Sequence, residues 1–191
     1  MVDVHLVVTQ RNRARSIPWS LGTVLSQAYK HLRVTYVDDA STDESRQVIE
    51  SVLSGATAPH PSVHLVTNAS RQGVIANILP ALKDDSDDTV AVLLDGDDGL
   101  AHPFAIDRIA YEYTQDVDCW FTYGSFLSWP DRQVIYDGAY HPECLKENHF
   151  RRWFWRCAPP ARFELGYCAR CPANTSETTT ARIGSLPMIR G

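Results

Sequence analysis

Four short apolar runs alternate with segments of helical periodicity, and this alternation constrains the fold more than any other feature. The runs span 2–8, 34–37, 63–66 and 89–94. Strands that are apolar on both faces are typical of parallel sheets covered by helices on each side. The pattern therefore predicts an α/β fold with a doubly wound, mostly parallel sheet, in which ligands bind at the carboxyl ends of the strands.

The segments between these runs predict helices. Apolar spacing predicts them over 16–29, from about Ser41 to 53, over 73–82 and over 104–114, followed by a strand at 119–123. Ser41 and Glu44 stand at the interval of a capping box, and Pro80 is expected to interrupt or end the third helix. A run of four aspartates, Asp84, Asp85, Asp87 and Asp88, is interpreted as a solvated connection.

Composition narrows the class of protein. The 191 residues are 44% hydrophobic, enough for one core, and 23 acidic against 18 basic residues argue against a nucleic-acid partner. No apolar run reaches the roughly 20 residues of a transmembrane helix, and the start of the chain does not read as an export signal. Five cysteines, an odd number, favour a reducing compartment, so we expect a cytoplasmic protein.

The pattern changes after the fourth run. We expect a nucleotide-binding half over 1–100, an acceptor-side half over 101–155, and a poorly patterned tail over 156–191 that is disordered or truncated. The aromatic segments 123–129 and 150–155 fit either an acceptor surface or the core. The Cys168 and Cys171 pair has no matching second pair, so no zinc site is assigned.

Two acidic clusters follow predicted strands. Asp38-Asp39 follows the second run, and Asp95-Gly96-Asp97-Asp98 follows the fourth. Carboxylates at such strand ends project into the ligand crevice, and oxygen ligands are those that Mg²⁺ or Mn²⁺ requires when it bridges phosphates. Asp38-Asp39 could equally cap a helix or form a solvated turn. Three carboxylates in four residues repel one another, which favours a metal-diphosphate site at the second cluster.

Three segments together resemble the family 2 glycosyltransferases of the GT-A fold, within the nucleotide-diphospho-sugar transferase superfamily. They are Val8–Arg13, Val37–Asp43 and Leu94–Asp98, and their order and spacing match that family across residues 1–130. The resemblance implies a Rossmann-like nucleotide-binding half and transfer of a sugar from a nucleoside-diphosphate sugar. It also implies assistance by Mn²⁺ or Mg²⁺.

The resemblance implies roles for individual residues at the base. Thr9 would line the base through main-chain groups, and Arg11 would flank it. Asp39, preceded by Asp38, would accept a hydrogen bond from the base ring, which favours a UDP-sugar. Arg71, in a variant of the family's N-x-G segment, would reach the base or phosphates, or be an ordinary surface arginine.

The same resemblance places the diphosphate and metal at the second cluster. Asp95 would lie near the ribose or the water shell of the metal, Asp97 would ligate the metal, and Asp98 competes for that role. Asn77 matches an asparagine of the family's A-R-N segment, although Ala76 replaces its arginine.

The expected reaction is transfer to the hydroxyl of a carbohydrate, lipid-linked or protein acceptor, with inversion at the sugar. It requires a general base. The carboxylates Glu147, Glu164 and Asp137 are weak candidates because none lies in a recognisable motif. Two alternatives remain: a nucleotide-sugar-binding module without efficient transfer, and a nucleotidyltransferase. No glycine-rich phosphate loop with a basic residue supports the second.

Overall fold

The computed structural model describes residues 1–57, 59–115, 119, 121–123, 168–169 and 184–185. Helices and strands alternate along the first part of the chain, as the sequence predicts. The strands are β1 Val4–Gln10, β2 Leu32–Asp38, β3 Ser62–Thr67, β4 Val90–Asp95, β5 Phe121–Tyr123, β6 Cys168–Ala169 and β7 Gly184–Ser185. The helices are α1 Ile17–Leu25, α2 Ser45–Gly55, α3 Val74–Leu82 and α4 Ala105–Gln115.

The described strands form one sheet in the order β3-β2-β1-β4-β6-β5-β7. Strand β1 pairs in parallel with β2 on one side and β4 on the other, and β2 pairs in parallel with β3. Strand β6, from the segment expected to be a poorly patterned tail, pairs antiparallel with β4 and β5. The predicted α/β fold with a mostly parallel sheet is therefore confirmed.

The core lies between one face of the sheet and helices α1, α2 and α4. Alternate residues of β1, Val4, Leu6 and Val8, are at most 1% exposed and pack in one cluster with helix residues. The helix residues of that cluster are Ile17, Leu21, Val24, Ile49, Ile106, Ala110 and Tyr113. Burial of these side chains supplies the main stabilisation of the sheet and fixes the positions of its strand ends.

Helix α1 is shorter than the sequence predicts, ending at Leu25 rather than Tyr29. Gln27 lies beyond its end, donates from Nε2 to the His102 carbonyl at 2.9 Å, and accepts from Ile106 N at 3.2 Å. The side chain thus satisfies a backbone N–H in the first turn of α4. Ala28 continues the apolar spacing of α1, but its N–H donates to the Pro103 carbonyl at 3.0 Å and not to a helix carbonyl, so periodicity places the helix end too late.

The start of α2 differs from the predicted capping box. Glu44 occupies the N-cap position without a side-chain hydrogen bond, and Ser41 donates to Asp38 instead. Asp43 Oδ1 accepts from Ser45 N at 3.0 Å and takes over the capping role. Pro80 lies inside α3, which ends two residues later at Leu82.

Asp85 is not part of a solvated connection, contrary to the sequence interpretation. Its side chain is only 10% exposed, forms an ion pair with Arg33 and is hydrogen-bonded to His5 Nδ1 at 2.7 Å. His5 is 2% exposed, and its Nε2 lies 2.8 Å from the Thr35 hydroxyl. The neighbouring Asp84 and Asp87 are exposed as expected. One of the four aspartates, Asp85, therefore contacts side chains of the sheet, and the sequence spacing of the aspartates does not predict this contact.

Within the described part of the chain, no helix is long and apolar enough to cross a membrane, the longest having 11 residues. The predicted boundaries at 100 and 155 remain predictions. The aromatic segment 150–155, most of 123–129, and Cys144, Cys157 and Cys171 lie outside the described residues.

Candidate functional site

The candidate site lies where the carboxyl ends of β1, β2 and β4 meet. In the sheet register, Gln10 at the end of β1 is opposite Asp38, and Thr9 is opposite Asp95. The chain runs outward from β1 through β2 to β3 and then returns to the other side of β1 as β4. This reversal is a topological switch point, where open α/β sheets form a ligand crevice. Both acidic clusters are thus at the same crevice.

Gly96 fixes the second cluster against β1. Its N–H donates to the Thr9 carbonyl at 2.9 Å, and its carbonyl accepts from the Ser20 hydroxyl at 2.9 Å. A Cβ at this position would lie 2.1 Å from Gln10 Cβ and 3.1 Å from Gln10 Cα. Only glycine therefore fits between the two carboxylates Asp95 and Asp97, because the Cβ of Gln10 occupies the space that a side chain would need.

Asp38 organises the loop after β2 rather than facing solvent. It is 1% exposed, and its Oδ1 accepts from Gln10 Nε2 at 2.7 Å, from Ser41 N at 3.2 Å and from the Ser41 hydroxyl. Gln10 is 5% exposed, and its Oε1 is buried without a hydrogen bond among the described residues. The site therefore contains one buried acceptor that a donor group could still use.

Asp39 lies in a shell of amide donors at the start of α3. Its Oδ1 accepts from Gln72 N and from Asn68 Nδ2, both at 2.8 Å, and its Oδ2 accepts from Gly73 N at 2.9 Å. Burial would raise the pKa of Asp39, but these donors outweigh it and lower that pKa to about 2. Asp39 is therefore ionised throughout the neutral range and can only accept hydrogen bonds.

Hydrogen bonds join the β1–α1 loop to the β2–α2 loop at the carboxyl end of the sheet. Asn12 N donates to the Ser41 hydroxyl at 2.9 Å, and Thr42 N donates to Asn12 Oδ1 at 2.8 Å. Asn12 and Ala40 adopt positive φ angles of 55° and 56°, in the left-handed region that residues with a Cβ rarely occupy. Such conformations cost free energy, and the hydrogen bonds between the loops hold them in place.

Asp97 forms an ion pair with Arg13, which lies in the loop between β1 and α1. Arg13 Nη2 lies 3.0 Å from Asp97 Oδ2, and the two side chains are 48% and 31% exposed. Asp98 N donates to the Asp95 carbonyl at 2.9 Å, which closes a tight turn after β4. All three carboxylates of the cluster are therefore held within one turn over the end of β1.

The structure places the two predicted arginines differently. Arg11 is partly buried and donates from Nε to the Ala40 carbonyl at 3.3 Å, so it lies between the two loops beside Asp39. Arg71 is exposed and stands one residue before Gln72, whose N–H binds Asp39. The Arg71 guanidinium forms no hydrogen bond or ion pair with the described residues. The backbone of Arg71 belongs to the loop that surrounds Asp39.

The carboxylates fit a divalent cation that is shared with a phosphorylated ligand. Among the described residues, no three His, Cys, Asp or Glu side chains converge as a complete metal cage. Mg²⁺ in nucleotide sites takes only one or two carboxylates from the protein and completes its shell with phosphate oxygens and water. The hard oxygen donors of Asp95, Asp97 and Asp98 meet this requirement, whereas a dedicated structural metal would need more ligands.

Sequence reasoning missed three participants. Gln10 and Asn68 bind the two aspartates of the first cluster, and Arg13 pairs with the second cluster. Gln10 and Arg13 flank residues that were singled out, and Asn68 begins the segment that contains Arg71. Their positions in these motifs were the available signal. The candidate bases Glu147, Glu164 and Asp137 lie outside the described residues.

A family comparison agrees with this geometry. The sequence model of the family described as glycosyl transferase family 2 matches residues 6–119, more than half of the chain. The match includes both acidic clusters and the strands that carry them. No curated protein sequence matches the chain.

Solved structures share the fold at low sequence identity. The mannosyltransferase PcManGT from Pyrobaculum calidifontis, in complex with GDP-Man and Mn²⁺, is 22% identical with a TM-score of 0.54, over 67% of this chain and 38% of that one. S. aureus TarS 1-349 is 17% identical with a TM-score of 0.57, over 71% of this chain and 39% of that one.

A third structure is glucosyl-3-phosphoglycerate synthase from Mycobacterium tuberculosis, in complex with Mn²⁺, UDP and glucosyl-3-phosphoglycerate. It is 15% identical with a TM-score of 0.54, over 88% of this chain and 57% of that one. The chain thus spans between 38% and 57% of the length of these three structures. The likeness confirms the predicted GT-A fold.

Proposed function

This chain belongs to glycosyl transferase family 2, and from that premise we propose that it binds a nucleoside-diphosphate sugar, with UDP favoured, and transfers the sugar to a hydroxyl acceptor. The observation that carries the proposal is the position of Asp95 and Asp97. They flank a glycine that packs against the end of β1, at the switch point of the sheet. This is where a phosphorylated ligand meets the carboxyl ends of the strands.

The base would be recognised at Asp39. Its carboxylate is ionised, with a pKa of about 2, and accepts three protein hydrogen bonds that fix its orientation. Uracil carries a ring N–H that can donate to such an acceptor, as do thymine and guanine, so the preference for UDP rests on the sequence resemblance. Thr9 and Arg11 would line the same side. The Thr9 carbonyl already accepts a hydrogen bond from Gly96 N. The second lone pair of that carbonyl and the Thr9 hydroxyl would remain for the base.

The diphosphate would bind over the second acidic cluster. Asp97, with Asp95 or Asp98, would hold Mn²⁺ or Mg²⁺, which when bound supplies positive charge to the departing nucleoside diphosphate. Asp38 supports the site indirectly, since its carboxylate holds Gln10 and Ser41 in place. Arg71 would contact the base or phosphates from the loop around Asp39. The anomeric outcome is proposed to be inversion, as the sequence resemblance implies.

Calorimetric titration of UDP with and without Mn²⁺ tests the proposal. Asp97→Asn keeps the side-chain shape but removes the charge, and should weaken Mn²⁺-dependent UDP binding at least about tenfold, the lower limit for removing even an outer partner of a metal ligand. Asp87→Asn makes the same charge change on an exposed residue of the α3–β4 loop and should bind UDP like the wild type.

Parallel titrations with dTDP and GDP test the base. Tighter binding of UDP than of GDP supports the UDP assignment, whereas preference for GDP would contradict that assignment but leave the fold of the site intact. Failure of all three nucleotides to bind in the presence of Mn²⁺ would contradict donor binding by this chain. Release of UDP from UDP-glucose, with and without candidate acceptors, then separates transfer from hydrolysis.

A further inference from the structure

The ion pair between Arg13 and Asp97 places a cation on the carboxylate that is proposed to bind metal. We propose that Arg13 is a resident counter-ion of Asp97: it competes with the divalent cation for this carboxylate and, once released, binds the diphosphate of the donor. The inference rests on the proposed function and gives Arg13, in the β1–α1 loop, a role in the binding of both metal and donor.

The backbone of Arg13 is anchored independently of its side chain. Its N–H donates to the Ser45 hydroxyl at 2.8 Å, and its carbonyl accepts from Ser16 N at 2.9 Å and from Ile17 N at 3.1 Å. The guanidinium can therefore leave Asp97 without rearrangement of the loop. Substitution of the side chain should also leave these three backbone hydrogen bonds in place.

The exposure of the pair makes the exchange accessible. The Arg13 side chain is 48% exposed and that of Asp97 is 31% exposed, so solvent and salt screen their attraction. Pairs of this kind change an equilibrium by about two- to fivefold. A divalent cation carries twice the charge of a guanidinium and can bind a carboxylate directly, so it should displace Arg13 in the presence of a phosphorylated ligand.

Arg13 remains close to the cluster after it is displaced because its backbone is fixed. A guanidinium pairs with phosphate through two parallel hydrogen bonds, a geometry that suits it better than an ammonium group. Arg13 would thus exchange one anionic partner, Asp97, for another, the diphosphate. Arg15 lies two residues further in the same loop, is exposed, and has no ion pair within the described part of the chain, so it offers a matched comparison.

Two binding measurements on the full chain test the exchange. Mn²⁺ binding alone is followed by electron paramagnetic resonance of the free ion, and UDP binding at saturating Mn²⁺ is followed by calorimetry. Arg13→Gln should bind Mn²⁺ alone about two- to fivefold more tightly than the wild type, because the competing cation is gone. It should bind UDP with Mn²⁺ about five- to tenfold more weakly, because the phosphate partner is gone.

The opposite signs of these two effects separate exchange from a structural role. Arg13→Lys keeps the charge and should return Mn²⁺ affinity to the wild-type value, with part of the UDP affinity recovered. Arg15→Gln removes the same charge from the same loop and should change neither affinity by more than about twofold.

Three outcomes would overturn the inference. Parallel loss of both affinities in Arg13→Gln would indicate a structural role. Equal Mn²⁺ affinity in Arg13→Gln and Arg15→Gln, while the wild type binds UDP with Mn²⁺, would refute the exchange and leave the proposed function standing. Absence of both Mn²⁺ and UDP binding in the wild type would refute the exchange together with the proposed function.

Discussion

The carboxylate of Asp39 accepts a hydrogen bond from the backbone N–H of Gly73 at 2.9 Å, at the N-terminus of α3. Gly73 has a φ of 90°, in the left-handed region that favours glycine, and this conformation directs its N–H at the carboxylate. A helix N-terminus favours a nearby negative charge. The side chain expected to contact the base is therefore also the anchor of a helix.

Asp39→Asn should lower both stability and nucleotide affinity. The amide cannot accept all three hydrogen bonds that the carboxylate accepts, and a buried donor left without a partner costs about 1–3 kcal/mol in the free energy of unfolding. Urea denaturation at neutral pH measures this loss. The exposed control Asp87→Asn should stay within about 0.5 kcal/mol of the wild type, and a similar loss there would contradict a specific role for Asp39.

The same carboxylate predicts sensitivity to acid. The pKa of Asp39 is about 2 in the folded chain against 3.8 ordinarily. Its stabilising contribution is therefore complete above pH 3.8 and is lost as the pH falls toward 2. Asp39→Asn should flatten this part of the stability profile relative to the wild type. Desolvation would raise the pKa of Asp43, but hydrogen bonds from Ser45 outweigh it and lower that pKa, so Asp43 contributes in the same direction.

Strand-helix alternation predicted the fold well because β1 is buried on both faces along its whole length and β4 over its first three residues. Their apolar runs have few competing interpretations, and the parallel pairing of β1 with both neighbours follows from the alternation itself. Element ends were predicted less well. The end of α1 depends on Gln27 contacts with His102 and Ile106, which are distant in the sequence.

The sequence predicted which strand ends carry the site, but it did not predict the hydrogen bonds within the site. Asp39 and Asp97 were recognisable because acidic residues directly follow apolar strands. Their partners were not, because Asn68 and Arg13 come from other loops, and only the folded sheet brings them within 3 Å. Asp85 was misread for the same reason, since His5 and Arg33 are its partners through tertiary contact.

Gly96→Ala should disrupt the acidic turn. The new Cβ would lie 2.1 Å from Gln10 Cβ, and Gln10 cannot retreat easily because it pairs with Asp38 in the sheet and its side chain donates to the Asp38 carboxylate. We expect a loss of about 1–3 kcal/mol in stability, typical of overpacking, together with weaker Mn²⁺-dependent UDP binding. Gly22→Ala is the matched control, because its Cβ would meet nothing within 4 Å in α1, and it should stabilise by about 0.5–1 kcal/mol.

Ala40→Gly should stabilise the chain. Ala40 has a φ of 56°, and a residue with a Cβ pays about 1–2 kcal/mol for this conformation. Glycine removes that strain but gives the unfolded chain more freedom, which offsets about 0.4–1 kcal/mol. The net gain should lie between about 0 and 1.6 kcal/mol by urea denaturation. Ala56→Gly, at a φ of -70°, brings only the entropic loss and should destabilise; equal effects at both positions would refute the strain.

His5 should make stability fall in mildly acidic solution. Burial lowers the pKa of His5 below 6.5, and the Arg33 charge adds to this, while the Asp85 carboxylate opposes both. As the pH falls through 6.5, the unfolded chain takes up a proton that the folded chain does not, so the free energy of unfolding decreases until the pH reaches the folded pKa. Thermal unfolding between pH 7.5 and 5 measures the slope, in buffers of equal ionic strength.

His5→Gln should be less stable at neutral pH, since the contacts with Asp85 and Thr35 change, but its profile should be flatter over this range. An exposed histidine replaced in the same way, His64→Gln, would leave the slope unchanged, and a slope that survives in His5→Gln would assign the effect to another group.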